Sequence, residues 1–321
     1  MKTFISCDWG TSSFRLKLVD IATGKVLSEL NTNQGIKDSF SAWNTSNQQP
    51  NKRQKFYIYT LSGQIKNLNS ADALSGVPVI ISGMASSSIG MLELPYKELP
   101  FSADGGDLLM HTIEATNDCP HTITLVSGAK TATDVLRGEE TILIGCDIPN
   151  DEKKRLYVFP GTHSKHITVQ QEKVIDFTTF MTGEFFDLLA NKSILAASIK
   201  KDLSANSGFD NEGFKKGVLA GANINLLSSA FKVRINQLNN QLTATENYDY
   251  LSGLLIGSEL NSIQAEEDFF ITVVAGETLQ QQYITALKIL GFDNGLQGKN
   301  ADEALVKGHC KLYNRLNHAL N

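Results

Sequence analysis

Two short stretches carry residue types suited to holding phosphate: Asp8-Trp9-Gly10-Thr11-Ser12-Ser13 and Pro160-Gly161-Thr162-His163-Ser164. In each, a glycine lets the chain turn without a Cβ in the way. The hydroxyls and amides that follow are donors for phosphate oxygens. Asp8 adds a carboxylate suited to the hydrated Mg²⁺ that accompanies a polyphosphate. Arg15 and Lys165 stand just beyond the turns, where a cation offsets phosphate charge. Taken alone, either stretch also reads as a polar surface turn. The informative feature is that Gly10-Thr11-x-Ser13 and Gly161-Thr162-x-Ser164 superpose without a gap. Gly10, Thr11, Ser12, Ser13 and Arg15, with Gly161, Thr162, Ser164 and Lys165, are therefore expected to grip the phosphate tail of one nucleotide.

The elements that must position these turns repeat as well. Phe4 to Asp8 reads as a short apolar strand, and Phe14, Leu16 and Leu18 then alternate with Arg15 and Lys17 as a second. Leu156 to Phe159 and the residues from Ser164 to Val169 give the same pair. A third strand is expected from Gly24 to Leu30 and again from Lys173 to Phe180. The chain thus reads as two domains that each begin with a three-strand meander. The charged, proline-containing stretch from Asp147 to Arg155 separates them, giving domains at 1–150 and 151–321.

Other segments read in order. The polar stretch from Lys37 to Lys55 is expected as a surface loop, and Phe56 to Leu68 as a helix. Val77 to Ile81 reads as a buried strand that empties into the small residues Ser82 to Gly90. Val135 to Ile144 reads as a helix bearing Glu139 and Glu140. The chain is expected to turn helical from Thr178, through Glu184, to Leu195, and a loop is expected from Lys200 to Asn211. Gly213 to Ser229 and Glu246 to Ile263 are long helical patterns, the second with Gly253 and Gly257 spaced for close approach to another helix. Ile271 to Ala275 is a buried strand, followed by Gly276-Glu277-Thr278 and a helix from Leu279 to Leu290. Ala301 to Leu320 closes the chain as a helix.

Composition narrows the function. A length of 321 residues with 41% apolar content suits two cores. A formal charge of −5 argues against nucleic-acid or anionic-membrane partners, which call for a basic face. The four cysteines are scattered with no Cys-x-x-Cys spacing, which fits buried thiols in a reduced cytoplasm. No signal peptide core or membrane span is legible. Gly128-Ala129-Lys130-Thr131 is no P-loop, because Ala129 and Thr124 stand where that loop needs glycine. His163 and His166, an odd number of residues apart on a strand, are expected on opposite faces and not as a metal pair. No feature reports an oligomeric state.

The segments Asp8-Trp9-Gly10-Thr11-Ser12-Ser13-Phe14-Arg15, Ile81 to Gly90, Leu136 to Gly145, Pro160 to Lys165, Met181-Thr182-Gly183-Glu184 and Leu251 to Gly257 run in order over nearly the whole chain. On these residues the chain resembles the 2-dehydro-3-deoxygalactonokinase family, within the actin, hexokinase and Hsp70 superfamily of two-domain ATP-binding proteins. The resemblance implies an α/β, actin-like ATPase (ribonuclease H-like) fold, with a mixed sheet flanked by helices in each domain. It implies ATP and Mg²⁺ as cofactors, and transfer of the γ-phosphate to the terminal hydroxyl of 2-dehydro-3-deoxy-D-galactonate, giving the 6-phosphate. Met84, Ser86 and Ser87 become the expected sugar-acid residues, and Ala275, Gly276, Glu277 and Thr278 the adenosine contacts. Asp8 would hold the metal. A carboxylate at Glu139, Glu140 or Asp134 would accept the hydroxyl proton. Two rival readings use the same turns: a phosphoanhydride hydrolase, which needs no sugar acid, and a non-catalytic ligand-binding regulator.

Overall fold

The structure is a computed structural model that describes residues 2–46, 49–68, 74–201, 212–223, 225–263 and 270–319. The chain divides into two compact units: residues 1–150, 172–176 and 302–321 form the first, and 151–171 with 177–301 the second. The first change of unit along the chain comes after Asn150. The return of the terminal residues to the first unit was not foreseen from the sequence.

In the first unit, β1 (Thr3–Trp9), β2 (Phe14–Asp20) and β3 (Val26–Thr32) form an antiparallel meander. Helices α1 (Ile36–Thr45) and α2 (Arg53–Leu68) follow, then strands β4 (Val79–Gly83), β5 (Lys97–Glu98), β6 (Phe101–Ser102), β7 (Met110–Ile113), β8 (Ile123–Val126), β9 (Ala129–Lys130) and β10 (Val135–Leu136). The main sheet has the order β3-β2-β1-β4-β8-β7, with β1, β4 and β8 parallel. A small sheet runs β10-β9-β5. Alternate residues of the central strands, including Ile5, Cys7, Trp9, Ile81 and Leu125, meet Tyr57, Leu61 and Ile65 of α2 in one core.

After the short helix α3 (Glu139–Ile144), the second unit repeats the arrangement with β11 (Arg155–Phe159), β12 (Ser164–Gln170) and β13 (Lys173–Phe180). Helices α4 (Thr182–Lys192), α5 (Glu212–Asn223), α6 (Leu226–Leu238) and α7 (Ala244–Leu260) lead to β14 (Phe270–Ala275), α8 (Glu277–Ile289) and β15 (Gln297–Asn300). The sheet order β15-β14-β11-β12-β13 has β14 parallel to β11, so it reproduces the first unit's β8-β4-β1-β2-β3. The same strand order in both units is the actin-like α/β architecture expected from the sequence. The last helix, α9 (Ala301–Ala319), belongs almost entirely to the first unit. There Gly145 and Gly308 let α3 and α9 touch backbone to backbone, and Arg315 pairs with Asp104 at 2.7 Å. Among the described residues no helix is long and apolar enough to cross a membrane.

Four local expectations are corrected. The helix expected from Thr178 begins only at Thr182, because β13 continues to Phe180. The stretch read as a surface loop from Lys37 forms α1, because Ile36, Ser39 and Trp43 bury at helical spacing and Asp38 accepts the Gly35 N–H at 3.1 Å. The helix expected from Val135 begins only at Glu139, since Gly138 takes a φ of +114°. The long helix expected from Gly213 is two helices, the second capped by Asn225, whose side chain accepts from the Leu227 and Ser228 amides. From residue 202 onward, the loop expected to run to Asn211 lies outside the described residues.

The close helix approach expected at Gly253 and Gly257 is found between α7 and α5. A Cβ on Gly253 would sit 2.3 Å from the Phe214 carbonyl oxygen, and one on Gly217 of α5 would sit 2.2 Å from that of Tyr250. Both contacts are with backbone, so the helices themselves would have to separate. Gly217→Ala should therefore lower unfolding stability by about 2–3 kcal/mol in chemical denaturation. Gly63→Ala, where a Cβ meets open space on α2, should raise it by ~0.5–1 kcal/mol. Equal effects at the two positions would refute the close-packing account.

Candidate active site

In the first unit, the Gly10 N–H donates to the Ser13 carbonyl at 2.9 Å and closes the hairpin turn. Thr11 and Ser12 are exposed and Ser13 is half-buried, so their donors face outward. The turn is braced from below. The Ile36 and Lys37 amides at the start of α1 donate to the Gly10 and Thr11 carbonyls at 2.9 and 3.1 Å. These amides are among the donors that a helix N-terminus leaves unpaired, so the helix is satisfied and the turn is fixed in one step.

Asp8, next to the last residue of β1, stands directly opposite Arg15 on β2 and beside Ser82 on β4. Its side chain keeps 24% of its surface open, and Arg15 approaches it at 3.9 Å while bonding Asp302 at 3.0 Å. Burial raises the Asp8 carboxyl to about 6, a push that Arg15 opposes and that the Asp302 and Glu139 charges reinforce. Gly83 and Gly138 make room at this point: a Cβ on Gly83 would lie 2.8 Å from the Trp9 carbonyl and 3.3 Å from the Asp8 carboxylate, and one on Gly138 would lie 3.4 Å from Gly83. The carboxyl ends of β1 and β4 and the start of α3 therefore converge, where open α/β sheets place ligands.

The two glutamates of α3 differ sharply. Glu140 is fully buried and accepts from the Gly138 N–H at 2.6 Å and the Thr141 hydroxyl at 3.1 Å. Burial first, and then the Glu139 charge, raise its carboxyl to about 7. Glu139 is half-buried, accepts the Arg137 N–H at 3.1 Å, and is the member of the pair whose charge reaches Asp8. Asp134 sits apart from these in the turn between β9 and β10, where its N–H donates to the Thr131 hydroxyl at 2.9 Å.

The expected sugar-acid serines are placed differently from the sequence reading. Ser86 is buried and donates to the Val126 carbonyl at 2.7 Å, and Ser87 is buried and donates to that of Met84 at 2.7 Å. Both hydroxyl protons are committed to backbone carbonyls, that of Ser86 on β8 and that of Ser87 within the loop. Met84 packs against the first unit's core. What the sequence reading missed is Arg137, whose guanidinium lies 4.2 Å over the Tyr96 ring and donates to the Ser86 carbonyl at 2.5 Å and hydroxyl at 2.6 Å. Its place two residues before Glu139 was the available signal.

In the second unit, the Glu184 amide at the start of α4 donates to the Thr162 carbonyl at 3.0 Å, bracing the second turn as α1 braces the first. Thr162 is exposed, whereas Ser164 and Lys165 are buried. The Lys165 ammonium donates to the His163 carbonyl at 3.1 Å. The gap-free superposition sets Phe159 at the position of Asp8 and His166 at that of Arg15. The histidines part company: His163 pairs with Glu184 at 2.5 Å and His166 with Glu259 at 3.0 Å. A cavity of about 290 Å³ is lined by Gly161, Gly183, Phe186, Tyr248, Thr278 and Gln282, at the lower end of the range usual for small molecules. It brings the Gly161 turn together with Thr278 from the expected adenosine segment. Gly276 and Glu277 lie exposed beside it at the N-terminus of α8, and Ala275 is buried.

The residues present fit the expected groups. Asp8 is a partly open oxygen donor of low hydration, as suits Mg²⁺ held mainly by water and phosphate. Cβ atoms on Gly161 and Gly276 would meet open space, so both backbones are free for a nucleotide.

Comparison with known proteins identifies the family. A family model described as 2-keto-3-deoxy-galactonokinase matches residues 8–312. A 2-dehydro-3-deoxygalactonokinase of Escherichia coli (strain K12) is 32% identical over 239 residues, which is 72% of this chain and 77% of the relative. A probable 2-dehydro-3-deoxygalactonokinase of Rhizobium meliloti (strain 1021) is 29% identical over 314 residues, covering 95% and 94%. A crystal structure from Sinorhizobium meliloti assigned to the same activity superposes with a TM-score of 0.80 at 29% identity, covering 98% of this chain and 96% of that one.

The raised carboxyl of Glu140 has a consequence for stability. Below about pH 4 it is protonated folded and unfolded, so it costs nothing. Between that and about pH 7 the folded state binds the extra proton, so stability falls as pH rises. Glu140→Gln should therefore stabilise the protein by ~1–3 kcal/mol at pH 8 and by little at pH 4, measured by denaturant unfolding at both. A benefit independent of pH would refute the ionisation cost.

Proposed function

The chain belongs to the 2-keto-3-deoxy-galactonokinase family, and from that premise we propose that it transfers the γ-phosphate of ATP to the terminal hydroxyl of 2-dehydro-3-deoxy-D-galactonate, giving the 6-phosphate. The observation that carries this reading is the meeting of Asp8, Gly83, Gly138 and Glu139 at the carboxyl ends of β1 and β4. Family membership favours the kinase over a hydrolase or a regulator.

In this reading Asp8 holds hydrated Mg²⁺, which supplies charge neutralisation to the β- and γ-phosphates. Each turn, within its own unit, is shaped to hold phosphate. Thr11, Ser12 and Thr162 offer donors from exposed positions, and Ser13 supports them from the half-buried end of its turn. Arg15 and Lys165 offset the charge, the second by holding its ammonium at the turn's own carbonyl. Ala275 to Thr278, with the cavity beside them, take the adenosine. Glu139 accepts the proton of the attacking hydroxyl, because it is open to solvent where Glu140 is enclosed. Glu140 keeps the entrance to α3 in shape through the Gly138 amide. Met84, Ser86 and Ser87 shape the sugar-acid loop through their internal bonds, with Arg137 as the cation nearest to it.

Purified protein given Mg-ATP and a panel of 2-keto-3-deoxy sugar acids should release ADP with the galactonate-derived acid, and phosphorus NMR should find the product ester on the terminal carbon. Glu139→Gln should lower kcat by roughly 10²–10⁴-fold with little change in KM for ATP. Asp8→Asn should lower it by more than about a hundredfold while the fold survives. ADP release that ignores the sugar acid, or wild-type rates in either variant, would overturn this reading.

A further inference from the structure

Glu259 is a carboxylate on the buried side of α7, 3% exposed, between the apolar residues Leu255 and Leu260. Three donors converge on it. The His166 Nε2 lies at 3.0 Å, the Tyr283 hydroxyl at 2.7 Å, and the Thr182 hydroxyl closes the set. A carboxylate has no proton to give, so each partner must donate. Burial, and then the Glu259 charge, hold the Tyr283 phenol well above its ordinary range, so it keeps the proton it donates.

The direction of this bond propagates. Tyr283 has directed its proton to Glu259, so the Ser164 hydroxyl, 3.1 Å away, donates to the tyrosine oxygen. The Ser164 oxygen in turn accepts the Gly161 N–H at 3.4 Å. Ser164 is fully buried and has no proton left for a phosphate. Its role is to brace the turn, which corrects the expectation drawn from its place in the repeat. The four side chains come from β12, α4 and α8, the elements around the Gly161 turn, and Gly161, Thr182 and Tyr283 also line the adjoining cavity. A site that needed only packing would be filled by an apolar side chain at no desolvation cost.

We propose that Glu259 is a positioning residue for nucleotide phosphate binding: through Tyr283 and Ser164 it fixes the polarity of a hydrogen-bond chain that presets the Gly161–Thr162 turn. This rests on the reading of that turn as a phosphate grip. A glutamine at 259 keeps the volume but brings donors of its own, so at least one partner must reverse. Reversal at Tyr283 would take away the acceptor of the Ser164 proton and free that hydroxyl to turn, which loosens its hold on the Gly161 N–H.

The test measures binding of Mg-ADP to the intact chain by calorimetry, with thermal unfolding as the check on folding. Glu259→Gln and Tyr283→Phe should each raise Kd about tenfold. The double variant should bind no more weakly than either single one, because both cut the same chain. KM for the sugar acid should not move. Folded single variants that bind Mg-ADP as the wild type does, or losses that multiply in the double variant, would overturn the proposal. Should Glu259→Gln fail to fold, Tyr283→Phe alone decides by the same criterion. Wild-type protein that binds Mg-ADP yet phosphorylates no sugar acid refutes the kinase reading and leaves this one standing. Wild-type protein that binds no Mg-ADP refutes both.

Discussion

Each unit depends on a helix N-terminus seated against the carbonyls of a hairpin turn. A tight turn with outward donors leaves its carbonyls pointing back into the protein, where they need partners. The first turn of a helix has amides to give and lacks carbonyls to receive them. The two deficits cancel when α1 meets Gly10 and Thr11, and when α4 meets Thr162. The fit is tight: a Cβ on Gly35 would lie 2.2 Å from the Thr11 carbonyl, and one on Gly183 would lie 2.5 Å from that of Gly161. The glycines sit at different steps of the two helix entrances, yet solve one steric problem. The helix dipole adds to the effect, since its positive end lies against the carbonyls of the turn.

Above that frame, the first unit concentrates negative charge. Burial, with the Asp302 and Glu139 charges, pushes the Asp8 carboxyl up, and burial, with the Glu139 charge, pushes that of Glu140 up. Like charges brought together under burial cost free energy, and a neighbouring cation lowers that cost. Arg15 and Lys17 hold the far side by pairing with Asp302 in the first turn of α9. That pairing, with the contact of Gly145 and Gly308, explains why the last helix of the chain belongs with the first strands.

The repeated meander was legible because it is local: alternation marks its strands, and Gly-Thr marks its turns. The strand at Lys173–Phe180 was read to the residue. What escaped depends on partners distant in sequence. The polar segment after Lys37 looks like a loop until Trp43 is seen to bury against Phe56 of α2, with ring centroids 5.5 Å apart. Glu139 and Glu140 are indistinguishable as letters, and the left-handed Gly138 decides which one turns inward. Glu259 did leave a trace, a lone charge within an otherwise apolar helix face, which is the pattern of a buried polar group with a specific partner. Arg137 left less, since an arginine beside an acidic pair reads first as charge compensation on a surface.

The two turns share four letters and differ in what stands behind them. In the first, a carboxylate and an arginine flank an exposed set of hydroxyls. In the second, the equivalent positions are Phe159 and His166, one filling the core and the other bound to Glu259. The second turn also has its serine folded inward. A duplicated turn placed in two different surroundings thus becomes two tools: one that can present a metal ligand, and one whose backbone is held rigid by a buried network. The identity of Gly10-Thr11-x-Ser13 with Gly161-Thr162-x-Ser164 accompanies a shared strand-turn-strand geometry braced by a helix N-terminus. The division of labour between them is set by the strand positions on either side, where the repeat breaks down.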